Sequence, residues 1–178
     1  MQPESLELWK DVTSDATITN FAFQGLAAHI LTPVTGQGPV AFKVDLSSLG
    51  EFPVRDGNER LGATAFFGAD RKLLSIYVSN DDATYVAGDD RWEHAKWHFR
   101  SAVFAYVTIT DHLGGLHLAI SELSMEACRE QLNADHPLRR LLKPHIYSAA
   151  QVQMTAIKIL AAQGGIAERL WPFTFEGL

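Results

Sequence analysis

The chain has 178 residues, of which 47% are hydrophobic and 20% charged, with a formal net charge of -6. This size and composition suit one folded domain with a sizeable core and exclude a disordered chain. The acidic balance, with no Lys/Arg-rich block, excludes nucleic acid as the main partner.

The stretch Met1–Asp11 is acidic and lacks an apolar core, so it does not read as a secretory signal. Ser5–Trp9 is expected to open a short helix, and Asn20–Thr32 reads as a second weak segment. Thr35–Pro39 is a loop. Val40–Leu46 and Leu73–Val78 predict strands, with turn residues Gly50, Pro53, Asp56-Gly57 and Gly68 between them. After Asp89-Asp90 the character changes. No proline occurs from Arg91 to Asp135, and Trp92, Ala95, Phe99, Ala102, Tyr106, Ile109, Leu113 and Leu116 recur at helical spacing. This predicts a long buried helix, bent at Gly114-Gly115. His136-Pro137 predicts a break, Leu138–Leu142 a helical turn, and Pro144 a second break. Tyr147–Gln163 predicts a further helix ended by Gly164-Gly165. The aromatic tail Trp171–Phe175 is expected to pack on the body.

The expected fold is mainly α: a helical bundle with a long central helix, preceded by a small β unit. It is expected as one domain, with a lead at 1–37, the β unit at 38–90 and the helical core at 91–178. Apolar runs such as Ser101–Ile109 fall short of the ~20 residues that span a bilayer, so no membrane span is expected. The single cysteine, Cys128, excludes an internal disulfide and a cysteine-based zinc cluster. It suits a reducing, cytoplasmic setting, and a buried structural thiol is expected of it rather than a nucleophile.

His112 and His117 are five residues apart in His-Leu-Gly-Gly-Leu-His. A regular α-helix turns about 500° over five residues, leaving the two rings apart around the axis. A π-type widening would bring them to one face, and such widenings concentrate at functional sites. The two glycines between them lower the cost of that distortion. His94 and His98 are four apart and could chelate a metal, but Glu93, Lys96 and Arg100 beside them predict an exposed face without function. His136 and His145, beside prolines, are expected to hydrogen-bond in turns. No G-x-S-x-G, Walker, Rossmann or H-E-x-x-H motif is present.

Taken together, Trp92-x-x-Ala95-Lys96, His112-x4-His117, Arg129, Leu132, His136-Pro137-x-x-x-Leu141-Leu142-x-Pro144-His145 and Gly165 resemble the central helices of plant and animal lipoxygenases. The similarity covers about residues 38–170. It implies a long central helix of lipoxygenase type, with His112 and His117 as two ligands of a non-haem iron. It also implies that Val152, Ala156, Leu160 and Ala167 line the substrate pocket. Leu160 matches the leucine that packs over the reactive part of the substrate. Ala156 matches the position tied to the stereochemistry of oxygenation. Departures accompany these matches. The chain stops soon after Gly165, so the later helix that completes the family's iron site is not expected, nor is the family's N-terminal β-barrel. Leu116 stands where a threonine commonly precedes the second histidine.

The function expected is that of a small lipoxygenase-like enzyme acting on a hydrophobic unsaturated substrate: a polyene, fatty acid or terpenoid. Iron at His112 and His117 would need a further ligand, for which Asp111, Glu122 and the Leu178 carboxylate are candidates. The alternative is a metal-independent cyclase, isomerase or pericyclase in biosynthesis, reusing the apolar pocket with His112 or His117 as acid/base. A further alternative is a non-catalytic binder of an apolar ligand, or half of a split lipoxygenase. Apolar helix faces left uncovered would favour a homodimer.

Overall fold

The structure, a computed structural model, describes residues 11–36, 38–146 and 149–178, with the backbone alone for 149, 150 and 152. The helix expected at Ser5–Trp9 lies outside the described residues. The chain forms two compact units, Met1–Tyr106 with Pro172–Gly177, and Val107–Trp171 with Leu178.

In the first unit, helix α1 (Asp15–Phe23) starts at Ser14, whose side chain accepts a hydrogen bond from Thr17 N at 3.2 Å. A hydroxyl at this position satisfies an amide that the first helical turn leaves open. The helix begins earlier than the weak periodicity of Asn20–Thr32 suggests, because the cap sets the start and Ile18, Phe21 and Ala22 set the buried face. Five strands follow: β1 (Leu31–Pro33), β2 (Val40–Leu46), β3 (Ala63–Gly68), β4 (Leu73–Val78) and β5 (Ala83–Val86). They form one antiparallel sheet in the order β1-β2-β3-β4-β5.

Strands β2 and β4 are those expected. The central strand β3 is an addition. Five of its six residues are buried, so Ala-Thr-Ala-Phe-Phe-Gly carries no alternation to read. Just before it, Gly62 is required by space: a Cβ there would collide with Ser79 Oγ and lie 2.5 Å from the Ser47 carbonyl. At the end of β2, Asp45 Oδ1 accepts from Ser47 N (3.1 Å), Ser47 Oγ (2.7 Å) and Thr64 Oγ1 (2.9 Å), while Oδ2 takes Lys43 Nζ at 2.8 Å. One carboxylate thus ties two strands and the turn that follows.

Helix α2 (Trp92–Tyr106) packs chiefly on β4 and β3. Phe99, Ala102 and Val103 are fully buried, as are Val44, Phe67, Ile76 and Val78 of the sheet. Burying each large apolar side chain contributes about 1.5–3 kcal/mol. The signature Trp92-x-x-Ala95-Lys96 now has a structural meaning. Trp92 Nε1 and Lys96 Nζ both donate to Asp15 Oδ1, at 3.1 and 3.0 Å, and Lys96 also meets Glu93 Oε1 at 2.7 Å and the Thr13 carbonyl. The motif docks α1 on α2. The tail packs as expected: Phe173 is buried, meets Phe52 edge-on at 6.2 Å and bridges to Val54, and Arg55 N donates to the Pro172 carbonyl at 2.8 Å.

The second unit is helical. A π-helical segment, Val107–Ile120, leads into α3 (Ser121–Gln131). Then come α4 (Pro137–Ile146), α5 (Ala149–Ala156), a second π segment (Ile157–Ala161) and the short α6 (Ile166–Leu170). The expected long helix is present as the 40-residue run Trp92–Gln131, and the fold class is as read: largely helical, preceded by a small sheet. Two details differ. No residue of Val107–Ile120 is buried, so the heavily buried part of the run lies in α2. Helix α4 also continues through Pro144, for two residues beyond it, to Ile146.

His136 acts in a turn, as expected: its Nδ1 accepts from Leu138 N at 3.2 Å and its carbonyl from Arg140 N at 3.0 Å. Past the second π segment the chain turns at Gly164, whose φ of 72° favours glycine. Judged by helix length and composition rather than by contiguous apolar runs, Trp92–Gln131 is long and apolar enough to cross a membrane, a test that core helices of soluble proteins also pass.

Candidate metal centre and apolar pocket

In a π-helix the backbone bonds join residues i and i+5, so side chains five apart come onto one face. His112 and His117 sit on the segment Val107–Ile120, and their Nε2 atoms lie 3.2 Å apart. The ring centroids are 4.6 Å apart and the planes nearly perpendicular, at 88°. A methyl at Gly114 or Gly115 would meet a carbonyl oxygen at 3.5 Å, an ordinary contact. The two glycines therefore supply backbone freedom rather than clearance.

The carbonyl of His117 is held from two sides. Ser121 Oγ donates to it at 2.7 Å, and the Gln153 side-chain amide donates to the same carbonyl and to Ser121 Oγ. Gln153 is 3% exposed, and its Oε1 is buried without a hydrogen-bond partner. The sequence carries no expectation for Gln153. The signal available was a large amide among apolar neighbours on a helix, which needs a polar partner if it is buried.

The rings face a cavity of about 210 Å³, lined by Leu113, Leu118, Gln153, Ala156, Ile157, Leu160 and Ala161 beside the histidines. Its surface is almost wholly apolar. Of the four residues expected to line the substrate pocket, the structure brings Ala156 and Leu160 to the His112/His117 pair. The Val152 side chain lies outside the described residues. Ala167 is buried on α6, outside this lining. A larger concavity of about 630 Å³ shares no residue with the histidine pocket and is lined by Cys128, Arg129, Arg139, Arg140 and Lys143 among others. Cys128 is a buried free thiol there, as expected.

Two neutral imidazoles present lone pairs to a cation. A separation of 3.2 Å suits two adjacent ligands, which lie about 3.0–3.4 Å apart when metal–nitrogen bonds are ~2.0–2.1 Å. Among the described residues, no Asp, Glu, Cys or further His brings a ligand atom within 4.8 Å of both rings. Asp111 and Glu122, the candidates for a third ligand, do not complete such a group.

The expectation of an exposed face at His94 and His98 is corrected. His98 is 4% exposed and His94 half-buried. The charged neighbours misled because Lys96 is itself buried, neutralised by Asp15 and Glu93, while the apolar Trp97 is 55% exposed. Burial pushes the His98 imidazole below its ordinary value despite the opposing Glu59 carboxylate.

Comparisons with known proteins agree with this architecture. The lipoxygenase family profile matches residues 69–175, more than half of the chain. Over 91 residues the chain is 32% identical to the polyunsaturated fatty acid lipoxygenase ALOX15B of Rattus norvegicus, covering 50% of this chain and 13% of that enzyme. The manganese lipoxygenase of Gaeumannomyces graminis superposes with a TM-score of 0.75 at 19% identity, over 94% of this chain and 36% of the other. A 9R-lipoxygenase from Cyanothece superposes with a TM-score of 0.73 at 18% identity, over 97% of this chain and 29% of the other. The chain thus spans about a third or less of the relatives it matches. On its profile match and its fold, the chain belongs to the lipoxygenase family.

Proposed function

We propose that the Val107–Trp171 unit binds a hydrophobic, unsaturated chain in its apolar pocket, and that His112 and His117 hold a non-haem iron or manganese beside it. The observation that carries this reading is the pair of imidazole Nε2 atoms 3.2 Å apart, on residues that line a pocket together with Ala156, Ile157 and Leu160. When bound, such a metal supplies one-electron oxidation of the substrate's allylic carbon. The protein's own part is to fix the two rings through the π segment, to anchor the His117 carbonyl through Gln153 and Ser121, and to keep the reacting carbon against an apolar wall. At about 210 Å³ the cavity is below the ~300–1,000 Å³ of typical ligand sites. It therefore suits a segment of a long polyene rather than a whole compact ligand.

The test combines metal analysis with turnover. Protein loaded with iron or manganese, oxidised to the trivalent state with a hydroperoxide, is incubated in air with a polyunsaturated fatty acid, and conjugated diene formation is followed by ultraviolet absorbance. The expected result is metal-dependent diene formation, abolished by His112→Ala and by His117→Ala. Full activity in chelator would overturn the redox reading.

One observation favours a second reading: among the described residues, no Asp, Glu, Cys or further His side chain forms a three-ligand group with the pair. A metal-free cyclase or isomerase would use the pocket to fold a polyene into a reactive conformer, with His112 or His117 moving a proton. Turnover of a polyene without uptake of oxygen, retained in chelator and lost in His117→Ala, distinguishes it.

A further inference from the structure

The second histidine pair meets a carboxylate. His94 and His98 lie one turn apart on α2, so both rings leave the same face of the helix, the spacing at which a helix chelates a metal. The loop ahead of β3 brings Glu59 to that face. Glu59 Oε2 is 3.3 Å from His94 Nε2 and 3.4 Å from His98 Nδ1. One ligand atom from each of the three residues lies within 4.8 Å of the other two. Tetrahedral zinc with bonds of ~2.0–2.1 Å separates its ligand atoms by about 3.3–3.4 Å, so two edges of such a site are already formed.

A second observation points to a ligand. The Nε2 atoms of both histidines are buried and have no hydrogen-bond partner. Buried polar atoms are nearly always satisfied, and an orphan marks strain or an unseen ion. His94 Nε2 makes no hydrogen bond, although the Glu59 carboxylate lies 3.3 Å away. An imidazole can bind through either nitrogen, and His98 offers Nδ1 toward Glu59 or its unpartnered Nε2. Two imidazoles and one carboxylate are a donor set for a borderline divalent ion.

We propose that Glu59, His94 and His98 form a metal site for a divalent first-row transition ion such as Zn²⁺, with a further position open to water. The site belongs to the Met1–Tyr106 unit and shares no residue with the His112/His117 pair, so it stands or falls independently of the function proposed above. Its effect is to clamp the irregular stretch between β2 and β3 onto α2.

The experiment is zinc titration by calorimetry of the full chain carrying His112→Ala and His117→Ala, so that the other pair cannot contribute. One equivalent of Zn²⁺ is expected to bind, with affinity falling at least about tenfold on adding His94→Ala or Glu59→Gln. Both residues are partly exposed, and circular dichroism checks that each variant keeps its fold. In the unsubstituted chain, nitrogen-15 imidazole resonances of His94 and His98 are expected to shift on zinc addition. Absence of a bound equivalent, affinity unchanged by His94→Ala and Glu59→Gln, or unshifted His94 and His98 resonances would each overturn the proposal.

Discussion

The side-chain amide of Gln153 on α5 donates to the backbone carbonyl of His117. A helix across the pocket thereby holds the main chain of one of the two histidines. Replacing Gln153 by Leu removes this anchor and leaves the pocket's apolar lining in place. Loss of a buried hydrogen bond costs about 1–3 kcal/mol where a partner is left unpaired, here moderated by Ser121. The expected outcome is a metal affinity at His112/His117 reduced by about 10–100-fold, the usual effect of losing a group that orients a ligand, with little change in the urea midpoint, because the substitution also removes the unpaired Oε1. Metal titration of Gln153→Leu against the unsubstituted chain checks it.

Asp15 makes a second such link. Its Oδ1 receives both Trp92 Nε1 and Lys96 Nζ. Asp15→Ala leaves the buried ammonium with Glu93 and the Thr13 carbonyl. The expected loss is about 1.5–3 kcal/mol, the range for hydrogen bonds to charged groups, measured by chemical denaturation. Lys96→Ala is expected to cost more, because it also strips packing from the α1–α2 contact.

Acid should loosen the sheet through Asp45. Burial raises its carboxyl, but the hydrogen bonds from Lys43, Ser47 and Thr64 outweigh burial and hold it well below the usual carboxylate range. A group depressed in the folded state stabilises fully above its unfolded value of 3.8, and that stability is lost as pH falls below it. Stability measured from pH 7 to pH 2 should therefore fall below pH 4, and the fall should be shallower in Asp45→Asn, which starts less stable at neutral pH.

Filling the pocket should block binding without touching the histidines. Leu160→Trp places a larger side chain in the wall facing His112 and His117. Binding of a fluorescent conjugated polyene fatty acid is expected to weaken at least about tenfold, or about 1.4 kcal/mol. Unchanged affinity would place the ligand elsewhere in the unit.

The parts of this structure legible in the sequence are those governed by local periodicity or a spaced motif. The strands Val40–Leu46 and Leu73–Val78 and the long helix follow from residues within a few positions of one another, whereas the five-residue spacing of His112 and His117 fits a π distortion without requiring one. What escaped depends on residues far apart. Strand β3 is buried on both faces and shows no alternation, and α1 begins at a cap rather than at a periodic run. Glu59 meets His94 and His98 only because the loop before β3 folds onto α2. Lys96 was read as a sign of exposure because its partner Asp15 lies 81 residues away in the chain. Of the pocket residues, Ala156 and Leu160 were reached through family resemblance, since nothing in their own type marks a lining.

The sheet order β1-β2-β3-β4-β5 means that every strand pairs with its neighbour in sequence. Loop closure between such neighbours costs little chain entropy, and domains rich in local pairings fold fast. The sheet should therefore assemble early, with amide protection in β2, β3 and β4 preceding that of the segment around Phe173. That segment, paired with Val54 across more than a hundred residues, is the long-range closure of the unit and should be the last part to lock.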